Sequence, residues 1–211
     1  MILLSTAYLP PVEYLSAFAR HEEVVIEQHE NFIKQTYRNR CSIPTANGVL
    51  SLSIPVKKNG LHNCPVKEVE IDYSRSWQRT HWRAIEAAYN ASPFFLYYRD
   101  YLETFFLQQT VSTLFDFNLQ LLNVLLKLSG IKKEYSFTEK YMFSYNEDVH
   151  DFRQRIHPKN TQTNIHIPPY RQVFSGRTGF VANMSCIDLL FNEGKLAKDY
   201  LQQITLKADA F

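Results

Sequence analysis

The apolar pattern begins almost at the first residue. Ile2-Leu3-Leu4 is a continuous apolar run that ends before the breaker pair Pro10-Pro11, and it predicts a short buried strand. Val12, Leu15, Phe18 and Ala19 then recur at helical spacing, with Pro11 suited to a first helical position. Val24-Val25-Ile26 predicts a second strand, and strand–loop–helix–strand is the start of an α/β unit. Two further strands are expected over Tyr37 to Ile43 and Val49 to Val56. They flank Asn47-Gly48, a pair that readily takes positive φ and signals a hairpin. Val66 to Asp72 alternates and predicts another amphipathic strand.

From Ser74 the period becomes helical. Trp77, His81, Ile85 and Ala88 share one face at spacings of three and four. Ser92-Pro93 has the form of an N-cap and first residue for a second helix over Phe94 to Phe106. A third helix, about Thr113 to Leu128, stops before Gly130. Tyr135 to Ser144 suits a strand, and the polar, proline-bearing stretch Asn146 to Tyr170 suits a long loop. Ser185-Cys186-Ile187-Asp188 has the form of a capping box, opening a short helix to Asn192; Lys195 to Ala208 predicts a last helix. The expected architecture is α/β: a mixed β-sheet from the N-terminal half with a packed α-helical subdomain. One domain is expected, mainly sheet over 1–73, helical over 74–130, and returning to the sheet over 131–211.

Composition narrows the class. The chain has 211 residues, 45% hydrophobic and 21% charged, which suits a globular protein with a sizeable core. Lys plus Arg is 23 against 21 Asp plus Glu, so the net charge of +2 lacks the basic excess of a nucleic-acid binder. Three cysteines with no CxxC give neither a zinc site nor a disulfide framework. No run approaches the roughly 20 apolar residues a membrane span needs, and the N-terminus lacks a basic region, so a cytoplasmic protein without membrane insertion is expected. The aromatic share, 14%, fits a thick core with a stacking-rich pocket.

Candidate chemistry concentrates before the hairpin. Lys34, Arg38 and Arg40 crowd one segment, and a guanidinium can grip phosphate through two parallel hydrogen bonds. If the segment is extended, Arg38 and Arg40 face one way and Asn39 the other. Glu27 and Glu30 are expected to pair with the arginines; a salt-bridged cluster without ligand, or a solvated basic edge, is the alternative. Tyr8 follows the first strand, where α/β sheets bind ligands. His81 is a candidate general base, with Asp72 as a possible orienting carboxylate, or else a satisfied core histidine. Ser185 and Asp188 have nucleophile-and-partner residue types at the spacing of a helix cap. His29, His150, His157 and His166 show no helical metal spacing, and no metal is expected. There is no Walker loop and no GxGxxG, and no His-x-x-His follows the first strand, as HIGH-type nucleotidyltransferases would require. No cofactor is indicated.

Four segments in register resemble the WbqC-like family: Tyr8-Leu9-Pro10-Pro11 with Tyr14; EQHENFIKQTYRNR (27–40) with LSIPV (52–56); Trp77 and His81 with Tyr89-x-x-x-Pro93-Phe94; and Tyr170-x-Gln172-Val173-Phe174 with Gly179-Phe180 and NMSCIDLLFNEG (183–194). The resemblance covers nearly the whole chain. It implies an association with O-antigen and other surface-polysaccharide biosynthesis. This sequence has Thr6-Ala7 where the common opening has Gln-Pro, so a ligand contact from that glutamine is absent or changed here. The expected function is group transfer on a phosphate-bearing or nucleotide-activated sugar, with Tyr8, Glu27, Glu30, Lys34, Arg38, Asn39 and Arg40 binding and His81 as base. The alternative is a non-catalytic scaffold partner of glycan-synthesis enzymes. A homodimer or such an enzyme is the partner considered.

Overall fold

The computed structural model describes residues 1–58, 61–108, 111–160 and 165–206. β1 (Ile2–Ser5) and β2 (Val24–Glu27) pair in parallel with Leu4 opposite Ile26, and α1 (Val12–Arg20) is the crossover between them. Parallel neighbours require such a crossover. Ile2, Leu3, Leu4 and all of β2 are buried, so these strands read as continuous apolar runs rather than alternation. β3 (Arg40–Thr45) and β4 (Gly48–Ser53) form the expected hairpin, with Gly48 at φ +105° closing the turn. This hairpin is a two-stranded antiparallel sheet of its own. The main sheet is instead completed from later in the chain by β5 (Ser136–Phe137) beside β2 and β6 (His150–Asp151) beside β1. Its order is β5-β2-β1-β6, all parallel. The α/β class holds, with parallel and antiparallel pairings in separate sheets.

Val66 to Asp72 is not a strand. Val66 and Val69, three apart, are buried from a 3-10 turn at Val66–Glu68, and only isolated bridges follow, Glu70 to Thr113 and Ile71 to Val56. Its apparent alternation is a turn that points residues i and i+3 the same way.

The helical expectation over 74–128 holds. α2 (Trp77–Tyr89), α3 (Phe95–Leu107) and α4 (Leu114–Leu128) pack through aromatic contacts: Trp82 stacks on Phe106 at 5.7 Å, and Phe105 meets Phe117 edge-on at 6.1 Å. Thr113 caps α4, its Oγ1 accepting the Asp116 N–H at 3.1 Å. Ser92 does not cap α3. Its hydroxyl donates to the Tyr89 carbonyl at 2.6 Å, closing α2, and α3 starts after Phe94.

Of the predicted strand 135–144 only β5 forms. The predicted loop 146–170 holds β6 and β7 (Ile165–His166). α5 (Ser175–Thr178), α6 (Cys186–Glu193) and α7 (Ala197–Gln203) follow, then β8 (Thr205–Leu206), which pairs with β7. The last helix therefore stops at Gln203; its expected end at Ala208 lies outside the described residues. Ser185 stands directly before α6, as expected of a cap, but its hydroxyl donates to the Leu9 carbonyl at 2.8 Å. Asp188 turns inward, accepting from Tyr170 Oη at 2.5 Å and Gln172 Nε2 at 2.7 Å. The pair is thus neither a capping box nor a nucleophile with its partner. Main-chain bonds from Ser185 to Ser42 and from Cys186 to Pro10 tie α6 to the hairpin and the loop after β1.

Candidate functional site

The carboxyl ends of β1, β2 and β6 converge on a buried charged cluster. Ser5 ends β1, Glu27 ends β2 and Asp151 ends β6. The loop after β2 returns Glu30 and Arg38 to the same place. Arg38, 2% exposed, donates from Nε to Glu30 Oε1 at 2.8 Å and from Nη2 to Glu30 Oε2 at 2.5 Å, a two-pronged pair. The same Nη2 reaches Ser5 Oγ at 2.8 Å. Two residues past β6, Arg153 forks onto Asp151, with Nη2 to Oδ2 at 2.6 Å, and sends Nη1 to Glu27 Oε2 at 3.2 Å. Burial alone would lower the Arg153 guanidinium; Asp151, Tyr141 and Glu27 outweigh it and hold its pKa above the usual arginine value. Tyr141 and Tyr145 cover its face at 5.0 and 5.2 Å. Glu27 Oε1 is held by Thr138 Oγ1 at 2.8 Å and the His29 N–H at 2.7 Å.

A narrow cleft of about 10 Å³ opens beside this cluster, room for a single water. Ser5, Thr6, Ala7, Tyr14, Arg38 and Arg153 are among its walls. Thr6 Oγ1 accepts from Asn118 Nδ2 at 3.2 Å. His157 lies near enough to Arg38 for its charge to lower the imidazole pKa, after burial, the larger cause. His157 Nδ1 accepts the Lys159 N–H at 3.1 Å, which places the neutral ring's proton on Nε2.

The structure brings Glu27, Glu30 and Arg38 together and leaves the other expected residues elsewhere. Lys34 is exposed. Arg40 lies in the hairpin, its Nε donating to Ser53 Oγ at 3.2 Å. Asn39 Nδ2 donates to the Ile54 carbonyl at 2.9 Å. Tyr8 is fully buried and its Oη meets His81 Nδ1 at 2.8 Å, between Trp77 and Phe117. Burial pushes His81 down to about 4, opposed by a backbone contact at Ser53. Asp72, the suggested orienting group, accepts the Ser74 N–H instead. Ser5, Thr138, Asp151, Arg153 and His157 were not anticipated; the available signal was Asp151-x-Arg153, opposite charges two apart at the end of a possible strand. Among the described residues, no three His, Cys, Asp or Glu side chains are grouped to hold a metal ion, and no helix is long and apolar enough to cross a membrane.

The WbqC-like protein family matches residues 6–159, a span holding every charged member of the cluster. The chain belongs to this family. A relative of this WbqC-like chain, the uncharacterized protein Rv1507c of Mycobacterium tuberculosis, is 25% identical over 95% of this chain and 96% of its own length. No solved structure matches this WbqC-like chain.

Proposed function

We propose that this protein is an enzyme of surface-glycan precursor biosynthesis that seats a sugar over the carboxyl end of its parallel sheet, with one hydroxyl or phosphate oxygen in the water-sized cleft, and transfers a group to or from it. The observation that carries this reading is the cluster beside the cleft, in which the buried guanidiniums of Arg38 and Arg153 meet the buried carboxylates of Glu27 and Glu30 and the more exposed Asp151. Burying charged pairs seldom improves stability over an apolar core of equal volume, so their position at the sheet's carboxyl end points to a ligand. Such a cluster suits hydroxyls: carboxylate oxygens accept from them and guanidinium N–H groups donate to them. A phosphate-bearing sugar would meet Arg38 or Arg153 there, without Lys34 and Arg40, which lie apart. His157, with its neutral ring's N–H on Nε2, is better placed than the core residue His81 to donate a hydrogen bond to a bound group. The glycan context comes from the resemblance of the four motifs.

The test is a thermal-shift screen of free sugars and sugar phosphates. A ligand at 100 times its Kd stabilises the native state by about 2.7 kcal/mol, which raises the melting point by roughly 5–10 °C for a chain of this size. Ser5→Ala removes the hydroxyl joining Arg38 to Glu30 at the cleft wall and should abolish the shift. If no member of the panel moves the melting point, the scaffold-partner reading replaces this one.

A further inference from the structure

A second concavity lies on α3, away from the sheet. α3 carries apolar side chains outward as well as inward, the outward ones standing among Arg99, Asp100 and Glu103. Phe95, Leu102, Phe105 and Phe106 are buried inward, while Leu96, Tyr97 and Tyr101 are 69, 72 and 53% exposed. Beside the exposed face runs an open groove of about 520 Å³, walled by Phe94, Tyr97, Tyr98, Tyr101, Leu128 and Leu196, with Glu193 and Lys195 at its edge. Its size is that of small-molecule sites, which pair an aromatic lining with a few polar groups.

The local sequence builds the edge. Gly194, at φ +58°, turns the chain between Glu193 and Lys195, and a Cβ there would lie 2.7 Å from the Phe94 ring. The bare glycine therefore lets Phe94 pack flat against the turn that carries both charges. Phe94 N–H also donates to the Phe191 carbonyl at 3.0 Å, fixing the start of α3 on α6. Beyond the same junction, Pro93 and Asn192 line a cleft of about 240 Å³ that includes Arg171.

We propose that this groove is a nucleotide site. Tyr97 and Tyr101, one helical turn apart, present rings for a base to stack on; the Glu193 carboxylate accepts from the ribose hydroxyls; and Lys195 faces the phosphate. Tyrosines rather than leucines suit this use, since their hydroxyls stay wetted while the groove is empty. The site shares no residue with the sheet-end cleft, so it stands whether or not a sugar binds there.

The experiment is isothermal titration of the full chain with UDP and ADP, and with uridine and inorganic pyrophosphate as half-ligands. Both nucleotides should bind. The double variant Tyr97→Ala/Tyr101→Ala should weaken them by about tenfold or more, the scale of lost base stacking. Lys195→Ala should weaken UDP while leaving uridine unchanged, and Ser5→Ala should leave nucleotide binding intact. All three groove residues are on the surface, so unchanged circular dichroism melts are expected. Absence of binding at millimolar nucleotide overturns the proposal. So does binding that survives the groove variants or is lost in Ser5→Ala. A dimer in gel filtration that Tyr97→Ala/Tyr101→Ala dissociates overturns it too, because a second copy then covers the face.

Discussion

Arg38→Met tests whether the Arg38–Glu30 pair is as desolvated as its geometry indicates. The wild-type guanidinium makes three bonds, two to Glu30 and one to Ser5, and the two paired side chains are 2% and 4% exposed. Met keeps most of the volume and removes the charge, leaving the Glu30 carboxyl without its cation in a buried site. Breaking a buried pair from one side typically costs about 3–5 kcal/mol. For a chain of this length that lowers the melting point by roughly 6–20 °C. The double variant Arg38→Met/Glu30→Leu removes both charges and should recover most of the loss, because an apolar pair of similar volume is often as stable. Urea unfolding of wild type, both single variants and the double closes the cycle. A loss below about 1 kcal/mol in both single variants would refute the reasoning, since that is the range of solvent-screened pairs. The double variant carries a second result. If it folds and still binds sugar in the thermal-shift assay, the pair serves the fold alone.

Glu13 is buried on α1 beside Asn183, and burial raises its carboxyl to about 7 against the Asn183 hydrogen bond and the charge of Arg155. The native state then holds a proton that the unfolded chain loses, so stability is fullest below pH 4.5 and falls as pH rises towards 7. Glu13→Gln should flatten that slope in urea melts across pH 4.5–8 and raise stability above pH 7 by roughly 2–3 kcal/mol. Gly194→Ala should destabilise by more than the roughly 1 kcal/mol left-handed backbone cost, because its Cβ would also meet the Phe94 ring; a neutral melt would show that the ring yields freely. Thr113→Ala should cost about 0.5–2 kcal/mol as a lost cap. Ser185→Ala should cost about 1–3 kcal/mol by leaving the buried Leu9 carbonyl unpaired, and equilibrium unfolding of each variant checks both values.

Short-range pattern was legible wherever one neighbour interaction decides it. The continuous apolar runs of β1 and β2, the Asn47-Gly48 hairpin and the helical stripe of α2 all appear where the spacing puts them. Long-range closure was not. β5 and β6 are two exposed residues each, too short for any period, and only pairing with β2 and β1 defines them. The same limit governs the site. Alternation places Arg38 and Arg40 on one face only if the strand begins before Arg38, but β3 begins at Arg40 and Arg38 belongs to the loop. That two-residue difference separates the arginines: Arg38 turns into the core to meet Glu30, while Arg40 stays on the hairpin with Ser53. The guanidinium that joins the cluster instead, Arg153, comes from more than a hundred residues away, and Glu27 rather than local spacing draws it in. Tyr8 and His81 show the converse. Both have residue types that suit chemistry, yet each satisfies the other inside an aromatic core. Opposite charges that meet through the ends of different strands are thus the better guide here than charges crowded along one segment, and they direct mutation to Arg38, Glu30 and Arg153 rather than to Lys34 and Arg40.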